Sequence, residues 1–104
     1  MAEIKVEKIF ERYKGWEFDV EVIEGDSKTQ HRVTMNRAFY KNLGTDTTPE
    51  KVVEKSFEFL LEREPKESIL KGFDVTVISR YFPEYGRKLR RILKSKNRPK
   101  DHKF

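Results

Sequence analysis

Seven cations, Arg87, Lys88, Arg90, Arg91, Lys94, Lys96 and Arg98, fall in one short stretch with no carboxylate among them. At helical spacing such a row can follow a phosphate backbone. Each phosphate neutralised releases counterions, so binding would be non-specific and steeply salt-dependent. The competing reading is a solvated terminal helix whose charges serve solubility and suit the negative end of the helix dipole. No recognised motif for reading bases precedes the run. A membrane-surface role is disfavoured, because only one turn carries large apolar residues beside the charges.

Other residues carry weaker chemical signals. Glu50, Glu54, Glu58 and Glu62 recur every four positions, which stacks carboxylates along a helix and in principle offers oxygen ligands to a hard cation. Calcium, however, normally draws six or more oxygens from a loop, and Lys51 and Lys55 stand three residues before Glu54 and Glu58. A charged solvent face is therefore expected, with no metal and no cofactor. His31 shares a strand face with Val33 and Met35 and reads as a partly buried histidine at the sheet margin, since a catalytic base needs a nucleophile or substrate proton in reach. His102 reads as solvated. No glycine-rich phosphate loop, metal-ligand spacing or nucleophile and base arrangement is present, which predicts a protein that is not an enzyme.

A second cluster joins Arg63 with Arg80, Tyr81 and Phe82. Salt bridges at a helix end and aromatic rings completing the core are the commoner uses of such residues. Yet an arginine beside tyrosine and phenylalanine at a chain reversal is also the chemistry enriched in protein interfaces.

These residues need a scaffold. Trp16, Phe18, Val20 and Val22 alternate strictly with acids, the period of a strand with one buried face. The run Glu24, Gly25, Asp26, Ser27 turns the chain into a second alternation through His31, Val33 and Met35. Upstream, Ile4 and Val6 alternate with charges, and Lys14 with Gly15 can reverse the chain toward Trp16. The adjacency of Ile9 and Phe10 breaks the pattern and predicts a bulge or an early strand end. Asn36 can cap a short helix closed by Gly44. Thr48, Pro49 and Glu50 mark a stronger helix start, followed by an apolar stripe of Val53, Phe57, Leu60 and Leu61 that Pro65 ends. Residues 66–71 read as a short helix. Residues 83–95 read as a longer one with the apolar face Tyr85, Leu89, Ile92 and Leu93. Between them, residues 73–78 fit a strand by propensity or a helix capped by Asp74, and the helix is preferred.

Composition sets the remaining bounds. Of 104 residues 39% are charged, against roughly 25% in average domains, so the core must rely on bulky rings: eight Phe, four Tyr and one Trp. The net charge of +5 belongs to residues 86–104, which carry +8; residues 1–85 are mildly acidic. Cysteine is absent, which excludes disulfides, thiolate metal sites and cysteine nucleophiles. Residues 1–8 hold no apolar stretch long enough for a signal peptide or membrane span, so a cytoplasmic protein is expected.

The segments SFEFLLEREPKESIL and FDVTVISRYFPEY, within residues 56–85, resemble a family of small conserved bacterial and archaeal proteins of unknown function. The similarity begins near Val20 and runs through Thr48 and Pro49. It implies no activity. Family members end shortly after the segment matching Tyr85, so the basic extension departs from the pattern, as does Gly72, where a longer side chain is usual.

Together these readings predict an α+β protein: a three-stranded antiparallel β-meander packed on one face by three to four α-helices. Residues 1–95 would form a single domain, and residues 96–104 a basic, disordered tail. The leading expectation is a non-catalytic macromolecular binding module whose basic helix and tail contact nucleic-acid phosphates. The alternatives are a protein–protein adaptor using the surface around Arg63 and residues 80–83, and a structural family protein with no nucleic-acid role.

Overall fold

The computed structural model describes residues 2–97, with side chains through Lys94. The alternating segments form β1 (Glu3–Arg12), β2 (Gly15–Glu24) and β3 (Ser27–Asn36), paired antiparallel in the expected meander. Register places Trp16 opposite Met35, Phe18 opposite Val33 and Val20 opposite His31, and all six are buried on one face. Gly25, at φ 60°, supplies the left-handed residue that a two-residue hairpin loop needs at its first position. The break at Ile9 and Phe10 is a register shift between Lys8 and Phe10. Past it Phe10 pairs with Glu17 and turns to the outer face, where it is half exposed. That outer face is polar and carries ion pairs, including Arg32 with Glu17 at 2.9 Å and Lys28 with Glu21 at 3.2 Å.

The sheet has a fourth strand, which corrects the three-stranded expectation. β4 (Gly72–Asp74) runs parallel to β3 and gives the order β1-β2-β3-β4 in a mixed sheet. Three residues leave too little periodicity to read. Partners on β3 hold them instead: Arg32 N–H donates to the Lys71 carbonyl at 2.7 Å, and the Thr34 hydroxyl donates to Asp74 Oδ1 at 2.6 Å. The other Asp74 oxygen accepts from the Thr76 N–H at 3.1 Å, so the expected cap is present, on the last residue of the strand. A 3₁₀ turn over Val75–Val77 follows. Residues 73–78 are thus strand first and helical after Asp74.

The described residues form four α-helices, α1 (Arg37–Asn42), α2 (Pro49–Leu61), α3 (Ile78–Tyr81) and α4 (Tyr85–Asn97); α1 and α2 pack on the sheet, and α4 packs on α2. The Asn36 side-chain Oδ1 accepts from the Phe39 N–H at 2.7 Å, and the Thr48 hydroxyl from the Lys51 N–H at 3.1 Å, so both expected caps form. Residues 66–71 give only a 3₁₀ turn, Lys66–Ser68. Its buried Lys66 ammonium donates to Glu67 at 2.7 Å and to Glu24 at 3.1 Å, tying the turn to the β2–β3 hairpin.

On α2, Val53, Phe57 and Leu60 are buried as the stripe predicts and Leu61 is half buried, but Val52, Ser56 and Phe59 are buried too. The helix lies against both the sheet and α4, so its apolar arc is wider than a surface helix requires. Ser56 joins the two helices. Its hydroxyl donates to the Val52 carbonyl at 2.9 Å, which leaves it as acceptor for the Tyr85 hydroxyl at 2.7 Å. Burial pushes the Tyr85 phenol far above its ordinary range, so it stays a neutral donor. Its ring stacks on Phe39 and leans on Phe59.

Candidate functional site

Helix α4 is built from two faces. Tyr85, Leu89 and Leu93, four residues apart, are buried in the core, and Ile92 is half buried. With that side docked, Arg87, Arg90, Arg91 and Lys94 are exposed and Lys88 is half buried. The helix begins at Tyr85 and not at Pro83. It runs to Asn97, so the backbone is helical past Lys94, where fraying was expected, and two residues past the expected domain boundary. The Lys96 side chain, Arg98 and His102 lie outside the described residues.

Electrostatics distinguish this face from the rest of the molecule. Elsewhere many cations meet carboxylates, among them Lys8 with Glu11, Lys51 with Glu54, Lys55 with Glu58 and Arg63 with Glu84, at 2.9 to 3.1 Å, while unpaired ones such as Lys5, Lys41 and Lys71 are scattered singly. Among the described residues, Arg87, Lys88, Arg90, Arg91 and Lys94 form no ion pair, and α4 carries no acid at all. Arg87 and Arg91, and Arg90 and Lys94, stand at i and i+4, where like charges repel. The glutamate row on α2 behaves differently. Glu54 and Glu58 pair with Lys51 and Lys55, and Glu62 with Arg63.

The second cluster divides. Arg63 is used internally: its guanidinium lies 3.7 Å over the Phe59 ring, donates to the Phe59 carbonyl at 3.0 Å and reaches Glu84 at 3.1 Å. The Phe59 carbonyl is one of the four that the end of a helix leaves without an intrahelical donor, so Arg63 acts as a side-chain cap. Glu84's own backbone N–H and the Arg63 guanidinium hold its carboxyl below the usual range. Phe82 is half buried, edge-on to Phe59 at 6.0 Å. Arg80 is exposed, and Tyr81 is 66% exposed.

Tyr81 and Phe82 border a feature that the sequence did not reveal. A cleft of about 170 Å³ opens between the end of α2, residues 68–73 and α3. Leu60, Ile69, Phe73, Val77 and Ile78 line it with Phe82, and so do the exposed Leu70 and Tyr81. Glu64 and Ser68 are its polar members. The one signal available was the pair Ile69 and Leu70 between charged residues, of which only the first is buried.

His31 is buried more deeply than a sheet-margin position suggests. The Leu70 carbonyl, 2.8 Å away, can only accept, so Nδ1 carries the proton and Nε2 accepts from the Thr29 hydroxyl at 2.9 Å. Both ring nitrogens are engaged, and the ring packs on Phe57. Burial lowers its pKa, opposed by the Leu70 hydrogen bond and assisted by Lys71. The unfolded chain, titrating near about 6.5, therefore binds more protons than the native one just below that pH. Stability should be full above about pH 6.5 and fall as the pH drops through the folded pKa. Urea melts between pH 8 and pH 5 should show this decline, and His31→Gln should flatten it; an equal slope in the variant would assign it to other groups.

Among the described residues no helix is long and apolar enough to cross a membrane. Compared with known proteins, the chain matches no family model, no curated protein and no solved structure.

Proposed function

We propose that this chain is a non-catalytic, cytoplasmic binding module that lays the outer face of α4 along the phosphate backbone of a nucleic acid. One observation carries the reading: Arg87, Arg90, Arg91 and Lys94, gathered on the exposed side of one helix that has no acid, form no ion pair among the described residues, whereas eight of the cations elsewhere do. Four like charges on adjacent turns cost stability unless an external anion compensates them. The row from Arg87 to Lys94 extends about 10 Å at 1.5 Å per residue, a length that spans several phosphates at about 3.4 Å of axis per strand. Contacts of this kind fix position without reading sequence. Engagement of both His31 nitrogens inside the core and the apolar lining of the cleft favour binding over catalysis.

Removing the chain after Gly86 would not test this, because Leu89 and Leu93 would leave the core with the charges. Substitution does. Anisotropy with a short fluorescent duplex should show a salt slope of about −3.6 for four phosphate contacts, roughly a 150-fold loss between about 50 and 200 mM salt. The variant with Gln at 87, 90, 91 and 94 should bind at least about 100-fold more weakly at the lower salt, with a nearly flat slope. Two duplexes of unrelated sequence should bind alike. Unchanged affinity in the four-Gln variant would overturn the proposal.

A further inference from the structure

We infer that the cleft beside α3 receives one apolar side chain of a partner polypeptide whose next residue is lysine or arginine. Its size comes first. About 170 Å³ is below the roughly 300 to 1,000 Å³ of sites that enclose whole small molecules, and suits one side chain. The walls select an apolar one: ring and aliphatic carbons dominate, and Leu70 and Tyr81, 46% and 66% exposed, leave apolar surface that a guest would cover.

Charge supplies the second half. Glu64 lines the same cleft and is half buried. Among the described residues its carboxylate makes no hydrogen bond or ion pair, unlike Glu62 and Glu67 on either side of it, which meet Arg63 and Lys66. A carboxylate drawn partly out of water against apolar walls favours a cation close by. Tyr81 lines the same cleft, and a tyrosine ring face is a second attraction for an ammonium or guanidinium group. The exposed Lys71 and Arg80 do not line the cleft, so its own charge is negative. An apolar residue followed by a basic one matches both halves, whereas an apolar residue followed by an acid would set two carboxylates together. The inference is independent of α4, whose cations lie on another helix.

The test is a ¹⁵N-labelled titration of the full chain with two blocked dipeptides, acetyl-Phe-Lys-amide and acetyl-Phe-Glu-amide. The first should shift the amides of Leu70, Phe73, Val77 and Tyr81 with a Kd in the millimolar range. The second should bind about 5-fold more weakly, the scale of one partly exposed ion pair. Glu64→Gln should erase that preference while leaving the spectrum otherwise native. Tyr81→Ala, at an exposed position that the fold tolerates, should weaken both peptides. The inference is overturned by an absence of cleft shifts, by equal binding of the two peptides, or by a preference that persists in Glu64→Gln. Cleft signals that move with protein concentration alone would also overturn it, since they assign the cleft to a second copy of the chain.

Discussion

Gly15→Ala should destabilise the protein by about 3 kcal/mol or more, near the upper end of what overpacking costs. The reason is not backbone conformation, because Gly15 lacks the positive φ found at Gly25 and Gly44. It is proximity. A Cβ at Gly15 would sit 2.7 Å from the Asn36 Cα and closer still to the Met35 carbonyl oxygen, and both are backbone atoms that cannot rotate away. Gly15 pairs with Arg12 on one side and Asn36 on the other, and the next peptide is fixed by the Arg37 N–H donating to the Lys14 carbonyl at 2.7 Å. The Arg37 guanidinium also donates to the Tyr13 and Arg12 carbonyls and lies over Trp16. Relief would therefore require moving β2 and β3 apart at the end where α1 begins. Gly72→Ala is the control, because its Cβ would meet only the Arg32 carbonyl oxygen at an ordinary 3.7 Å, and it should change stability by less than about 0.5 kcal/mol. Urea unfolding of both variants decides the point. A cost below about 1 kcal/mol for Gly15→Ala would mean that the strands separate more easily than their pairing suggests.

Gly15 also shows where sequence reading stops. Its neighbours mark a turn, and a turn is there, but the reason alanine cannot replace it lies in two backbone atoms some twenty residues further on. The same division recurs across the fold. Features set by nearest neighbours in the chain are legible: the alternation of β2, the caps Asn36 and Thr48, the slip at Ile9 and the i to i+3 pairs of α2. Features set by distant partners are not. β4 exists because β3 offers it an edge, and Val52, Ser56 and Phe59 are buried because α4 closes a second side of α2. In the candidate sites, the outward cations of α4 follow from the spacing of Tyr85, Leu89 and Leu93. The internal use of Arg63 does not, because it depends on Glu84 and on the ring beneath its guanidinium. The cleft depends on residues 60–82 meeting in space, and no local pattern announces it.

Phe59→Ala should cost about 3 to 5 kcal/mol, the usual range for removing a fully buried ring, and it should disturb the Arg63 and Phe82 surface as well as the core. The ring is 1% exposed and has three distinct neighbours. Tyr85 leans on it at 5.3 Å, Phe82 meets it edge-on at 6.0 Å, and the Arg63 guanidinium covers it at 3.7 Å. Its loss opens a cavity between α2 and α4 and takes away the platform that orients the cap on the end of α2. Phe59→Leu keeps much of the apolar volume but no aromatic face, so the difference between the two variants separates packing from ring-specific contacts, each about 0.5 to 1.5 kcal/mol. Arg63→Ala alone should cost less than Phe59→Ala, since its ion pair with Glu84 is partly solvated. Because the guanidinium stacks on the ring, the double variant should lose less than the two single losses combined, by about 0.5 to 1 kcal/mol. Strict additivity would mean that Arg63 is held by Glu84 and the Phe59 carbonyl alone. A cost under about 2 kcal/mol for Phe59→Ala would mean that α4 collapses onto α2 without it. The outward display of Arg87, Arg90, Arg91 and Lys94 would then rest on Leu89 and Leu93, and polyanion affinity would survive the substitution unchanged.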